Sequence, residues 1–203
     1  MMKRSAISRY VWLFASFIVA CGVRAAPRDA APPSGSTRAA DPMANGYVLG
    51  PEDGEVLVRP NGRIIVKVDP RHGSHSMALG TQDLDSGAGI PVHRHDTADE
   101  VLVIQGGHAH AMIDGNTVDV GPGSAVYVPR GTWHGVENTG EPIHLLWVVA
   151  PPGLEEFFRI VGSPPGAPVK KLTPAEIAEI GRQHGTVFRS PQTPPATAPP
   201  SAR

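Results

Sequence analysis

Four residues of types that commonly serve as metal ligands lie in two segments of the chain. His93, His95 and Glu100 fall in the first segment, and His134 falls in the second. Three imidazoles and one carboxylate suit a divalent transition metal ion, with iron, manganese, nickel, copper and zinc all acceptable. They fill four positions of an octahedral ion and leave two for water or substrate, which is the open arrangement that catalysis needs. The sequence therefore predicts one divalent transition metal ion as the cofactor.

The spacing of His93 and His95 indicates a β-strand. Residues two apart on a strand point to the same face, so both imidazoles would converge and Arg94 would point away. A polar turn at residues 96–99 would reverse the chain and place Glu100 beside them. A tight turn with Gly131, which permits a positive φ, would return a later strand that carries His134.

Short apolar segments, separated by turn signals such as Pro60-Asn61-Gly62 and Asp114-Gly115-Asn116, fill the middle of the chain. Strands this short, spaced roughly 8–12 residues apart, favour an all-β sandwich or barrel. Strands are predicted at residues 56–58, 64–68, 76–84, 90–95, 100–104, 108–113, 117–120, 125–128, 133–137 and 143–149.

Two short helices are predicted after the last strand. The first covers residues 154–161. The second begins at Thr173, which forms a capping box with Glu176, and it stops at Gly185.

The two metal-binding segments resemble the motifs of the cupin superfamily. The first motif is G-x5-H-x-H-x4-E-x6-G, and it is matched by Gly87, His93, His95, Glu100 and Gly107. The second motif is G-x5-P-x-G-x2-H-x3-N, and it is matched by Gly123, Pro129, Gly131, His134 and Asn138.

The resemblance covers about residues 79–150 and implies a cupin jelly-roll β-barrel. It also implies that the metal ligands are His93, His95, Glu100 and His134, and that two copies form a homodimer. Glu100 is in addition a candidate catalytic proton acceptor. The C-terminal part is similar to extensions of small, single-domain cupins called quercetin-dioxygenase-like.

The function expected on these grounds is a metal-dependent dioxygenase-type oxidoreductase that acts on a small organic substrate. Two alternatives stay open at this point. One is a cupin that binds a small molecule or a metal without catalysis, and the other is a metal-dependent isomerase or lyase. The ligand residues fit all three functions.

Two further histidines, His108 and His110, share a face of one predicted strand. One interpretation places them in the second shell of the metal, where they would orient a ligand or hold substrate. The alternative places them at an exposed sheet edge.

The N-terminus predicts export. Basic residues precede an apolar stretch at 11–20 that is too short for a membrane span and fits a secretory signal peptide over residues 1–25. Two cleavage sites are compatible with the sequence: Val23-Arg24-Ala25, or a lipobox at 18–21 with Cys21 as a lipidated residue. We therefore expect a periplasmic or extracellular protein, with a lipid anchor in the second case and without a transmembrane domain in the mature form.

Composition sets the remaining boundaries. Residues 26–45 and 190–203 are rich in Pro, Ala and Ser and predict a disordered linker and a disordered tail. The barrel is expected at 46–150 and a helical extension at 151–189. The formal net charge is −1, and the sequence has no basic run that would favour nucleic acid. The expected partner is a small-molecule ligand.

Overall fold

The computed structural model describes residues 46–189. The predicted signal peptide with Cys21, the linker and the tail lie outside the described residues. The strands within the described range are β1 (Glu55–Arg59), β2 (Gly62–Val68), β3 (Ala78–Leu84), β4 (Ile90–His95), β5 (Asp99–Gly106), β6 (Ala109–Ile113), β7 (Asn116–Val120), β8 (Ala125–Val128), β9 (His134–Asn138), β10 (Ile143–Ala150) and β11 (Thr186–Phe188). The helices are a 3-10 turn (Pro70–His72), α1 (Leu154–Val161) and α2 (Pro174–Gln183).

These strands form two antiparallel sheets, which confirms the predicted all-β jelly-roll barrel. One sheet has the order β1-β2-β3-β10-β5-β8, and the other has the order β11-β4-β9-β6-β7. Apart from the consecutive strands β1-β2-β3 and β6-β7, neighbours in each sheet are distant in sequence, as the long connections of a jelly roll require.

The core lies between the two sheets. On β10 alternate residues are buried, so that Leu145 and Trp147 point inward while His144 is exposed. Ala109 and Ala111 of β6 join the same apolar cluster from the opposite sheet. Period-two burial of this kind is what fixes the register of each strand, because a shift of one residue would move the apolar side chains into water.

The predicted helices are confirmed. The Thr173 hydroxyl accepts a hydrogen bond from the Glu176 backbone N–H at 3.3 Å, and the Glu176 carboxylate accepts one from the Thr173 backbone N–H at 2.7 Å. Together they form the predicted capping box at the start of α2. No helix between residues 46 and 189 is long and apolar enough to cross a membrane.

Two elements were not predicted, the 3-10 turn and β11. β11 pairs with β4 along its whole length, so that Thr186 lies opposite His95 and Phe188 opposite His93. It contains only three residues, and a run of that length has no periodicity from which a strand could be inferred. Its formation depends on the edge of β4 that it covers.

Candidate metal site

Strand β4 places two imidazoles on the inner face of the barrel. His93 is 7% exposed and His95 is 5% exposed, whereas Arg94 between them points away. The Arg94 guanidinium lies over the ring of Trp133, 4.9 Å from its centroid. The alternation predicted from the spacing is therefore what the structure shows.

The other two residues lie on β9, which pairs with β4, and on β5 of the opposite sheet. His134 begins β9 directly opposite His93 on β4, and Glu100 lies near the start of β5. The turn before His134 is joined to the end of β4 by the Gly131 N–H, which donates to the His95 carbonyl oxygen at 2.7 Å. Gly131 has a φ of +80°, a backbone conformation that would be strained in a residue with a side chain. Glu100 and His134 are 4% and 1% exposed.

The four side chains converge on one point. Each offers a ligand atom, and these atoms all lie within 4.8 Å of one another. Glu100 Oε2 is 2.8 Å from His134 Nε2 and 3.4 Å from His95 Nε2. Two atoms bound at right angles, each about 2.1 Å from a metal ion, are about 3.0 Å apart. We refer to these four residues as the His3Glu cluster, and their spacing fits a single ion.

Hydrogen bonds on the far side of the rings orient the histidines. His93 Nδ1 lies 2.9 Å from the Pro91 carbonyl oxygen, and His134 Nδ1 lies 3.0 Å from the Thr132 carbonyl oxygen. A carbonyl only accepts, so both Nδ1 atoms carry the hydrogen and the Nε2 lone pairs remain for a metal. Anchoring of this kind is typical of metal-binding histidines.

The third histidine is anchored by an element that the sequence did not predict. His95 Nδ1 lies 3.0 Å from the hydroxyl of Thr186 on β11. Its Nε2 atom is buried and has no hydrogen-bond partner among residues 46–189. A buried nitrogen without a partner is costly unless something else satisfies it. A metal ion in the His3Glu cluster would do so.

The electrostatics of the cluster also favour a bound metal ion. With Nδ1 protonated, His134 turns an Nε2 lone pair toward the Glu100 carboxylate, so a proton or a metal ion must lie between them. Burial, together with the neighbouring His134 and His95, lowers the pKa of His93 to about 3. Burial by itself raises the pKa of Glu100, but His134 and His95 outweigh it, so the pKa lies well below its ordinary value. A neutral His93 and an ionised Glu100 are the protonation states that bind metal.

A cavity of about 310 Å³ adjoins the cluster, and His93 and Glu100 form part of its wall. Leu102, which lies two residues after Glu100 on the same face of β5, lines it as well. Apolar side chains of the two helices and of the segment just before α2 line the cavity too, among them Leu154, Phe157, Leu172 and Ile177. Small-molecule sites typically occupy about 300–1,000 Å³, so the cavity suits a small organic ligand.

The C-terminal strand β11 also contributes an aromatic side chain to the site. The ring of Phe188 stacks on His93 with a centroid separation of 5.5 Å. Arg189, the next residue, places its guanidinium 4.6 Å from the centroid of Trp133. Sequence analysis missed Thr186 and Phe188 as site residues. The only local signal was a β-branched and aromatic triplet after Gly185, which is too short to assign.

The structure does not bring His108 and His110 to the cluster. Ala109 and Ala111 occupy the inner face of this segment, so the two histidines point outward. His108 Nδ1 lies 2.7 Å from Glu141 Oε1, and His110 Nδ1 lies 2.6 Å from an Asp119 carboxylate oxygen, both at the surface. The second-shell interpretation of His108 and His110 is therefore corrected to the exposed one, because strand parity turns them away from the metal site.

Comparisons with known proteins agree with this geometry. A family model described as "Cupin domain" matches residues 80–149. Gentisate 1,2-dioxygenase of Ralstonia sp. is 30% identical over 134 residues, which cover 60% of this chain and 37% of that enzyme. The chain thus spans well under half of the dioxygenase. An uncharacterised protein of Streptomyces coelicolor is 34% identical over 77 residues, which cover 38% of this chain and 72% of the relative.

Solved structures match over about half of the chain. KdgF from Halomonas sp. matches with 17% identity and a TM-score of 0.48, covering 54% of this chain and 96% of that one. An RmlC-like cupin from Shewanella frigidimarina matches with 19% identity and a TM-score of 0.48, covering 56% and 96%. With both motifs, the family model and the Streptomyces relative in agreement, the chain belongs to the cupin superfamily.

Proposed function

We propose that the chain binds one divalent transition metal ion through the His3Glu cluster and acts as a dioxygenase-type oxidoreductase on a small organic substrate. The observation that supports it most directly is the buried cluster at the wall of a mostly apolar cavity. Similarity to gentisate 1,2-dioxygenase, although it covers 37% of that enzyme, favours dioxygenase chemistry over the alternatives.

The ligands in this proposal are His93, His95, Glu100 and His134. A redox-active ion held there would supply the one-electron chemistry that reactions with dioxygen need. The chain itself contributes three things. It orients the imidazoles through Pro91, Thr132 and Thr186, it buries the ligand residues away from bulk water, and it offers a cavity beside them.

Glu100 is proposed as a proton acceptor as well as a ligand. It lines the cavity, and its low pKa makes it a weak base while it faces the imidazoles. If the carboxylate turned away from His134 and His95, burial would raise its pKa and strengthen it as a base. A proton from a hydroxyl of the substrate could then pass to a Glu100 carboxylate oxygen.

Export and homodimerisation are proposed on the sequence alone. The basic and apolar N-terminus supports secretion to the periplasm or beyond, with Cys21 as a lipid anchor if the lipobox is used. The homodimer is a property carried over from the resemblance to cupins.

Oxygen uptake tests the proposed chemistry. The purified chain, loaded in turn with Fe²⁺, Mn²⁺, Ni²⁺, Cu²⁺ and Zn²⁺, is mixed with gentisate, catechols, flavonols and β-diketones. We expect oxygen consumption with at least one redox-active ion and one of these substrates, and none with Zn²⁺. His95→Ala should abolish it, and His110→Ala, which changes a surface histidine, should not.

Other outcomes of this experiment would overturn the proposal. Product formation without oxygen in the Zn²⁺ form would favour an isomerase or lyase. A compound that raises the melting temperature, without turnover in any metal form, would favour a binding protein.

A further inference from the structure

Arg59 stands out among the charged residues near the site. It ends β1, just before the turn at Pro60 and Asn61, and its side chain lines the cavity that His93 and Glu100 also line. Arg59 and Glu100 are the lining residues with a formal charge at neutral pH, and Glu100 is already engaged by His134. Among residues 46–189, the cavity therefore has a cationic group with no counter-charge of its own.

The other arginines of the described part of the chain all have partners. Arg189 lies over the ring of Trp133. The remaining ones each form an ion pair with a carboxylate: Arg63, Arg71, Arg94, Arg130, Arg159 and Arg182. Within residues 46–189, Arg59 has neither a carboxylate nor an aromatic partner. Among the arginines of the described residues, the lack of a partner is therefore specific to Arg59.

The position of Arg59 also has an energetic cost. Burial lowers the pKa of its guanidinium, which means that the side chain has lost hydration without gaining a compensating charge. Groups in this state are stabilised when an anion enters beside them. Gln82, which is 7% exposed, lines the same cavity and adds a polar amide to the wall.

We propose that Arg59 binds the carboxylate of the ligand, and that the cavity selects small organic acids with an apolar body. A guanidinium presents two parallel N–H donors that match the two oxygens of a carboxylate. The apolar body would contact the wall formed by Leu154, Phe157 and Leu172. That the other end of the acid reaches the metal rests on the proposed function, whereas the carboxylate site does not.

Binding of benzoate and of benzamide, its uncharged analogue, tests this assignment. Both are titrated by calorimetry into the full chain, once loaded with Zn²⁺ and once treated with chelator. We expect the wild type to bind benzoate at least tenfold more tightly than benzamide in both forms. Arg59→Met should remove that preference while leaving benzamide binding unchanged.

Two further variants serve as controls. Arg182→Met removes the same charge from an exposed ion pair on α2 and should keep the full preference. Arg59→Lys keeps the charge but loses the two-donor geometry, so benzoate binding should weaken several-fold with benzamide unaffected. This second variant decides the question if Arg59→Met does not fold.

The assignment would be overturned by a wild type that shows no preference for benzoate, or by Arg59 variants that keep the wild-type preference. A preference present only with Zn²⁺ and lost in His95→Ala would place the carboxylate at the metal instead. Because the measurement is binding, an Arg59 effect combined with no oxygen uptake would reject the proposed oxidoreductase and retain the acid site.

Discussion

Two clusters of charged side chains within residues 46–189 are buried or partly buried, and they differ in how their charge is balanced. The first, which we call the ion-pair cluster, joins Arg159 of α1 to Asp69 and Glu55. Arg159 donates to both carboxylates, and Asp69 is fully buried. The second is the His3Glu cluster, where one carboxylate faces imidazole lone pairs and His95 Nε2 has no partner in the described structure.

The comparison distinguishes charged groups that are buried to stabilise the fold from groups that are buried to bind a ligand. Protein groups satisfy the ion-pair cluster, and its effect is to fix α1 on the sheet. Hydrogen bonds and charges from Arg159 and His72 overcome the effect of burial and lower the pKa of Asp69. In the His3Glu cluster, Glu100 contacts His134, but the buried Nε2 atom of His95 has no hydrogen-bond partner among residues 46–189, and an added cation would bind it. A buried polar atom that lacks a hydrogen-bond partner therefore marks a place for a ligand.

The largest effect is expected from breaking the ion-pair cluster. Arg159→Met leaves Asp69 buried without its counter-charge, and losses of this kind cost about 3–5 kcal/mol of unfolding free energy. Arg182→Met removes an exposed ion pair and should cost no more than about 1 kcal/mol. Urea unfolding at neutral pH measures both. Equal losses in the two variants would contradict the distinction.

The His3Glu cluster should behave in the opposite way, gaining stability from an added ion. A ligand present at about 1,000 times its Kd stabilises a protein by about 4 kcal/mol. We expect a gain of this order when Zn²⁺ is added to the metal-free wild type, followed by thermal or urea unfolding.

Matched histidine variants sharpen this second prediction. His134→Ala should lose the Zn²⁺-dependent stabilisation, and metal analysis should fall from about one ion per chain to none. His110→Ala, which changes an exposed histidine paired with Asp119, should keep both. Full metal occupancy in His134→Ala would remove that residue from the site.

The sequence predicts those features of the His3Glu cluster that depend on local spacing. His93 and His95 share a face because residues two apart on a strand always do, and the predicted bounds of β4, residues 90–95, match the structure. The resemblance to cupins implied the approach of Glu100 and His134. Fold class, most strands and both helices follow from the same kinds of local signal.

The parts that the sequence does not predict depend on long-range contacts. Thr186 is 91 residues from His95, and only the docking of β11 brings its hydroxyl to the ring. Arg59 becomes distinctive only when the partners of the other arginines within residues 46–189 are known. The outward direction of His108 and His110 required the register of β6, since their spacing alone fits either face.

The smallest effect is expected from a residue that orients a metal-binding histidine but does not itself contact the ion. Thr186→Val keeps the shape and β-branching of a fully buried side chain but removes the hydroxyl next to His95 Nδ1. Loss of such an orienting partner weakens metal affinity by about 10–100-fold. Thr186→Ser retains the hydroxyl and should bind Zn²⁺ within a few-fold of wild type. Competition with a chelator of known affinity measures all three proteins. If Thr186→Val bound Zn²⁺ as tightly as Thr186→Ser, then β11 would contribute packing to the site but would not orient His95, and the two carbonyl-anchored histidines with Glu100 would set the affinity alone.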